Sequence, residues 1–549
     1  WGGRYCYTPK LPRAVVFIYD ISDKNSPELV KRFSVDGLYQ EARMIGNFVY
    51  LIIRYSFNPR NIVMPAVAED GVARELSAKD VVYFDDYLGS FTLTTIAALS
   101  LDDLKMNTES FLLDTGSTIY VSKDNIYITA PDNAYFVQQR VRYMKEVYPQ
   151  VLPDDVGEQI KQILNSDKPW WEKKREADRV FSDYVTGLEV SARNELLREL
   201  HKASSAYWQS VDNRERTLIH KISINGERIA YIGSGSVPGH LLNQFSMDEH
   251  NGYLRVATTA GEVWNGKSKN NVYVLDQNLE IVGSLEDLAQ GEKIYSARFV
   301  GNRAYLVTFK KVDPFFVIDL SNPREPKVLG YLKIPGFSDY LHPYDENHII
   351  GVGKDTIEAS DELKAQRGLD FAWYQGVKVS LFDVSDVDHP KEIGKVVIGD
   401  RGSSTPLSYE HKAFLFDKEK GIIVLPVTVA RIDRERYNGE IPPYASGLPV
   451  WRGVYVLNVD ENGLSVRGKI SHADTNEELP PTQDREAQAR YNAGYRNLGP
   501  MIMRSLFMDD VLYTISDELI KASDLQTLDE INKIKIPSTR SRFSYGIYY

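Results

Sequence analysis

A single cysteine, Cys6, occurs in 549 residues, so no disulfide forms within the chain and the fold does not depend on one. Cys6 is left either free or paired with something upstream. Long apolar runs are also missing. The longest lies around GIIVLPVTVA at 421–430, well short of the roughly 18 residues that a membrane-spanning helix needs, so no membrane span is expected. Positive charge is not in excess: 65 basic residues face 76 acidic ones, the formal charge is -11, and no long block carries one sign. Without a basic footprint, the balance argues against a nucleic-acid partner. An initiator Met is absent too, and the start at Trp1 suggests that an upstream segment, such as a signal sequence, has been removed or is missing.

What the chain does contain is a repeat. LFDVSDVDHPKEIGKV at 381–396 recurs as IYDISDKNSPELVKRF at 18–33 and as VIDLSNPREPKVLGYL at 317–332. Looser copies lie at 272–285, 454–470 and 520–536, with weaker ones at 96–113 and 217–232. Each joins two β-rich runs by a polar turn rich in Asp, Asn, Ser or Pro, which reads as a hairpin. A second hairpin type follows most of them: ARMIGNFVYLII at 42–53, ARFVGNRAYLVTF at 297–309, LHPYDENHIIGV at 341–352 and MRSLFMDDVLYTI at 503–515, with looser versions at 117–130, 247–259 and 410–427. Two alternating hairpin types are how four-stranded propeller blades are written along a chain. The 43 residues from Asp276 to Asp319 match the roughly 40–45 of a WD-type blade.

The expected fold is therefore all-β, a seven- or eight-bladed β-propeller with a helical insertion. Residues 1–132 form the first blades, 133–212 the helical insertion, and 213–549 the remaining blades and the C-terminal tail. Helical spacing appears in VGEQIKQIL (Val156, Ile160, Ile163, Leu164) and LEVSARNELLRELHKA (Leu188, Leu196, Leu197, Leu200). Trp170 and Trp171 either fix this excursion onto the propeller or meet a ligand or partner. Eight hairpins of one kind against seven of the other leave the hairpin at 14–33 without inner strands. Its completion is expected from a missing segment, from the tail at 540–549, or from another molecule. Polar insertions at 57–90, 355–376, 431–450 and 474–499 are where function is expected on a rigid ring.

Through YDISDKNSPELV, VPGHLLNQFSMDEHNGYLRVATT, GEKIYSARFVGNRAYLVTF and IPGFSDYLHPYDENHIIGVGK, the chain resembles secreted, mainly archaeal and bacterial proteins whose C-terminal β-propeller is distantly related to WD repeats. Its DISD and DVSD elements are similar to LVIVD-type repeats of bacterial surface propellers. The resemblance implies a fold and an extracellular or cell-surface address, without an established activity. Members of that family usually carry further strands upstream of the point where this chain starts.

Asp383, Asp386 and Asp388 form a weak calcium candidate. The stretch fails as an EF-hand, with Val387, Asp388 and Gly394 in the wrong places, and a turn whose Asp and Ser oxygens accept backbone N–H bonds is the plainer reading. Seven residues back from Tyr50, Tyr305 and Ile349 stand Arg43, Arg298 and His342. With His411 and Arg504 they are candidates to line the central channel and take an anion, or else to serve as structural clamps. No GxSxG, HExxH, Cys/His cluster, glycine-rich phosphate loop or sialidase Asp-box occurs. The expectation is a binding or assembly module without catalysis and without a cofactor other than possible calcium. Its partner is a protein or a second copy, engaged through the aromatic ends WGGRYCY and SRFSYGIYY and the unpaired half-blade. The competing readings are a hydrolase or lyase acting on an extracellular polymer at the channel mouth and a calcium-stabilised structural module.

Overall fold

The computed structural model describes residues 11–537 apart from 58–61, 84–90, 115, 117, 211–214, 262–265, 310–312, 364–371, 438–439 and 480–497. Cys6 and both aromatic ends lie outside the described residues. Among the described residues eight sheets follow one another along the chain, seven of four strands and one of five. They are numbered here as blades 1 to 8. Blade 5 shows the plan: Lys293–Val300, Arg303–Phe309, Asp313–Asp319 and Lys327–Ile334 pair antiparallel in chain order. Its middle strands are apolar on both faces, with Tyr305, Leu306, Val307, Phe315, Val317 and Ile318 all buried. That pattern belongs to a sheet covered on both sides, whereas a one-sided sheet alternates apolar and polar residues.

The recurring turn joins the third and fourth strands of a blade. Its Asp is a cap. The backbone N–H two residues on donates to Asp20 at 2.8 Å, Asp319 at 2.9 Å, Asp383 at 2.9 Å and Asp524 at 2.9 Å. A second such bond follows in the fuller copies, from Asn25 to Asp23, Arg324 to Asn322 and Asp388 to Asp386. These bonds hold four of these carboxylates, Asp20, Asp319, Asp383 and Asp524, below the usual carboxylate range.

A β-bulge follows each of these turns, one residue after another leaving the ladder: Leu329 in blade 5, Ile393 in blade 6 and Arg467 in blade 7. In blades 5, 6 and 7 a glycine stands directly after the bulge, Gly330, Gly394 and Gly468, and the turn of the next blade rests on it. A Cβ on Gly330 would collide with the Val387 carbonyl and stand 2.9 Å from Asp388 Cα. On Gly283 it would collide with Pro323 and come within 2.9 Å of Arg324 Cα, and on Gly394 it would be 3.0 Å from Gly463 Cα. The repeated turn thus fastens one blade to the next.

Blade 1 departs from the expected plan. Its order is Arg13–Asp20, Glu28–Asp36, Ala66–Glu69, Val72–Glu75, so a hairpin from the 57–90 insertion adds to the outer side. The inner edge of Arg13–Asp20 has no strand partner among the described residues. The other insertions keep a rule. Those at 57–91, 132–215, 261–268, 359–371 and 432–447 all join second to third strands, and the one at 471–503 joins a fourth strand to the next first strand. In an antiparallel meander both connections leave at the same end of the sheet. Every long insertion therefore leaves its sheet at the end opposite the Asp turns.

In blade 3 that insertion is helical, with α1 Asn133–Val151, α2 Asp154–Asn165, α3 Trp170–Gly187 and α4 Val190–Ser210. Their shared core gathers Tyr143, Val147, Ile160, Leu164, Ala177 and Tyr207. Trp170 packs into this core, while Trp171 is 56% exposed with the Arg175 guanidinium over its ring. Leu188 caps α3 and Leu197 is exposed, so the apolar face of α4 is narrower than its sequence suggests.

Two compact units result. The first holds residues 1–244, 251–254 and 275–281, including blades 1 to 3 and the helices. The second holds 245–250, 255–274 and 282–549.

Candidate functional site

The arginines and histidines singled out from the repeat sit mostly on first strands. Arg43 pairs across with Tyr50 and Arg298 with Tyr305, as the seven-residue spacing requires. His342 pairs with Ile350, one place beyond Ile349, because its hairpin turn is longer. His411 lies in a 3-10 turn, His411–Ala413, and Arg504 opens the first strand of blade 8.

In the second unit two of these five converge on one ring, and a third is linked to it through Tyr340. The Arg298 guanidinium stands 4.5 Å from the Phe245 centroid, and His411 meets the same ring edge-on at 5.1 Å. Tyr340 meets it at 5.5 Å, and the Tyr340 hydroxyl is 2.9 Å from His342 Nδ1. Phe414 and Phe416 enclose the imidazole, each at 5.1 Å. Burial, with Arg298 nearby, pushes His342 down to about 4, so at neutral pH it carries no charge. Arg504 donates to the Met503 carbonyl at 2.8 Å and lies 3.4 Å from Glu410. In the first unit Arg43 pairs with Glu41 at 2.6 Å and with Gln244 at 3.1 Å. The geometry is one of guanidinium groups set against carboxylates and rings, with a neutral His–Tyr pair among them.

A group that the repeat did not single out lies nearer the insertion end of the second unit. Asp339 is the bulged residue of Phe337–Pro343, between Ser338 and Tyr340, and pairs with nothing across the ladder. Its carboxylate has no hydrogen bond among the described residues. Burial pushes its carboxyl up to about 6, against the pull of Lys354 and Lys293. Lys354 is itself lowered by burial and donates to the Ser403 carbonyl. Lys293 Nζ stands 5.0 Å from the Tyr295 ring, and Tyr295, Phe309, Phe337 and Tyr374 pack ring on ring, with Tyr295–Phe337 at 4.8 Å and Phe337–Tyr374 at 4.9 Å. The signal was present in the sequence as FSDYLH opening a first strand, but a bulge does not show in periodicity.

Asp383 and Asp386 each hold a backbone N–H of the turn, and Asp386 also faces His389 Nδ1 at 3.2 Å. Among the described residues no group of three or more His, Cys, Asp or Glu side chains is placed to hold a metal ion. No described helix is long and apolar enough to cross a membrane. In the first unit an apolar cavity of about 300 Å³ opens between the 57–90 insertion and blade 2, walled by Tyr55, Phe57, Met64, Val81, Tyr83 and Leu93.

Residues 4–528 match the model of the Beta propeller domain family. An uncharacterized protein of Methanocaldococcus jannaschii is 31% identical over 519 residues, covering 94% of this chain and 71% of that protein. An uncharacterized protein of Archaeoglobus fulgidus is 30% identical over 510 residues, covering 91% and 68%. Among solved structures the chain is similar to the periplasmic gluconolactonase of Pseudomonas aeruginosa, at 9% identity and TM-score 0.34, over 81% of this chain and 93% of that one. It is also similar to the β-propeller domain of the Trilobed protease from Pyrococcus furiosus, at 7% identity and TM-score 0.31, over 92% and 98%. The chain belongs to the Beta propeller domain family.

Proposed function

We propose that this propeller is an extracellular or cell-surface binding and assembly module with no catalysis of its own, and that it assembles by strand addition at blade 1. The observation that carries this is the state of Arg13–Asp20. Its counterpart in blade 5 buries Phe315, Val317 and Ile318, whereas here Val15, Phe17 and Tyr19 are 37%, 50% and 52% exposed along an edge with no partner among the described residues. An edge strand with an apolar face is a template for another strand. The occupant is a second copy of this chain. Antiparallel self-pairing sets the Arg13 end of one strand beside the Asp20 end of the other and brings the two apolar faces together.

The address outside the cell rests on the sequence likeness to secreted propellers. A hydrolase or lyase would need a second carboxylate facing Asp339, and the charged groups that act on it are Lys354 and Lys293. A calcium-stabilised module would need the turn carboxylates that instead hold backbone N–H groups.

Sedimentation across a concentration series tests the assembly. The expected result is a dimer that falls to monomer in the Phe17→Lys, Tyr19→Lys double variant. A monomer at every concentration in the unaltered chain, as when its own ends cover the strand, would sink the reading.

A further inference from the structure

We propose that the insertion-side end of blades 5 and 6 binds a neutral saccharide, whose ring lies on Tyr374 while Asp339 accepts hydrogen bonds from its hydroxyls. This site lies in the second unit and is independent of strand addition at blade 1.

Position comes first. Lys293 opens the first strand of blade 5, Asp339 is the third residue of the first strand of blade 6, and Tyr374 is the third residue of Ala372–Asp383. All three therefore stand at the end where the insertions leave their sheets, the end that a rigid scaffold leaves free to vary.

A sugar ring has an apolar C–H face and a rim of hydroxyls, so its site needs a fixed flat surface and polar groups at the edge. Tyr374 supplies the surface. It is 38% exposed, and three contacts hold it in place: Phe337 at 4.9 Å, Phe309 at 5.8 Å, and the Tyr295 hydroxyl, 3.3 Å from its own.

Asp339 supplies the acceptor. Its two carboxylate oxygens take up to four hydrogen bonds, and none is used among the described residues. Leaving a half-buried carboxylate unpaired is costly, and burial accordingly raises its proton affinity, so a ligand rich in hydroxyl donors relieves it. Lys293, whose ammonium lies 5.0 Å from the Tyr295 ring, adds a donor for ring or hydroxyl oxygens. The carboxylate repels a phosphate or acidic ligand, and a purely apolar one would leave it unpaired.

The test is a neutral-glycan array probed with the full chain, followed by calorimetric titration of the best oligosaccharide. Asp339→Asn and Tyr374→Ala are each expected to weaken binding at least tenfold. Tyr331→Ala, on the outer strand of blade 5, should leave it unchanged. Asp339→Asn preserves shape, and a single cooperative melting transition in each variant, at or above the binding temperature, shows that both fold. No binding across the array, or binding that survives both substitutions, overturns the proposal. So does a proline-rich peptide that binds the same aromatic surface more tightly than any glycan.

Discussion

Replacing Gly330 by alanine adds one methyl group where the turn of blade 6 touches the fourth strand of blade 5. The new Cβ would collide with the Val387 carbonyl and sit 2.9 Å from Asp388 Cα, both backbone atoms. Carbon contacts are comfortable at about 3.5–4.0 Å, so the turn must retreat by roughly 1 Å or more. It cannot swing aside freely, since Ser385 N–H is held by Asp383 and Asp388 N–H by Asp386. Overpacking of this kind costs about 1–3 kcal/mol, and a rigid backbone obstacle belongs at the upper end. If some 150–250 residues unfold together, about 3 kcal/mol lowers the melting midpoint by roughly 6–12 °C. Gly233→Ala is the matched control, for it too follows a bulge on a fourth strand but its Cβ would meet nothing within 4 Å. There the gain from a less flexible unfolded chain should leave the midpoint level or slightly raised. Differential scanning fluorimetry on both variants decides. Equal midpoints would refute the claim that the repeated turn fastens neighbouring blades.

Other perturbations have worked signs. His472, held between Ser516 at 3.0 Å and Thr514 at 2.9 Å, is pushed by burial down to about 4, as is His342. Both are neutral when folded and protonate on unfolding, so their contribution is complete above pH 6.5 and is lost as the pH falls through 4. NMR titration should find both imidazoles uncharged at pH 5.5. Asp339 has the opposite sign, being raised to about 6, so its ionisation costs stability as the pH rises from about 4 through 6. Asp339→Asn should raise the melting midpoint more at pH 8 than at pH 5, and an equal shift would contradict the assignment. Calcium or a chelator should leave the midpoint unchanged, because the Asp383 and Asp386 oxygens are already engaged by the turn.

The alternation of two hairpin types was legible because each strand's period and each turn's Asp are local signals. Arg43 and Arg298 were placed at equivalent registers for the same reason. His342 slipped by one place because the turn 343–348 is longer, and spacing alone cannot count the residues a loop absorbs. What the strands do to one another across blades was not legible. Gly330 reads as a weak strand residue until the neighbouring turn is seen resting on it. Asp339 looks like an ordinary alternating residue, and only the bulge, which depends on pairing with a distant strand, leaves its carboxylate unpaired. The hairpin at 66–75 was read as part of an insertion, and its pairing with Glu28–Asp36 depends on contact between remote segments.

The central claim, that blade 1 offers an open edge for assembly, is tested most directly by hydrogen exchange of the Arg13–Asp20 amides at low and high protein concentration. The outward-facing amides should exchange fast when dilute and slow markedly when concentrated, with the buried strand Thr92–Ser100 unchanged in both. Slow exchange at every concentration would mean that the edge is already covered within one chain. Fast exchange at every concentration would mean that nothing pairs with it. Either result contradicts the account.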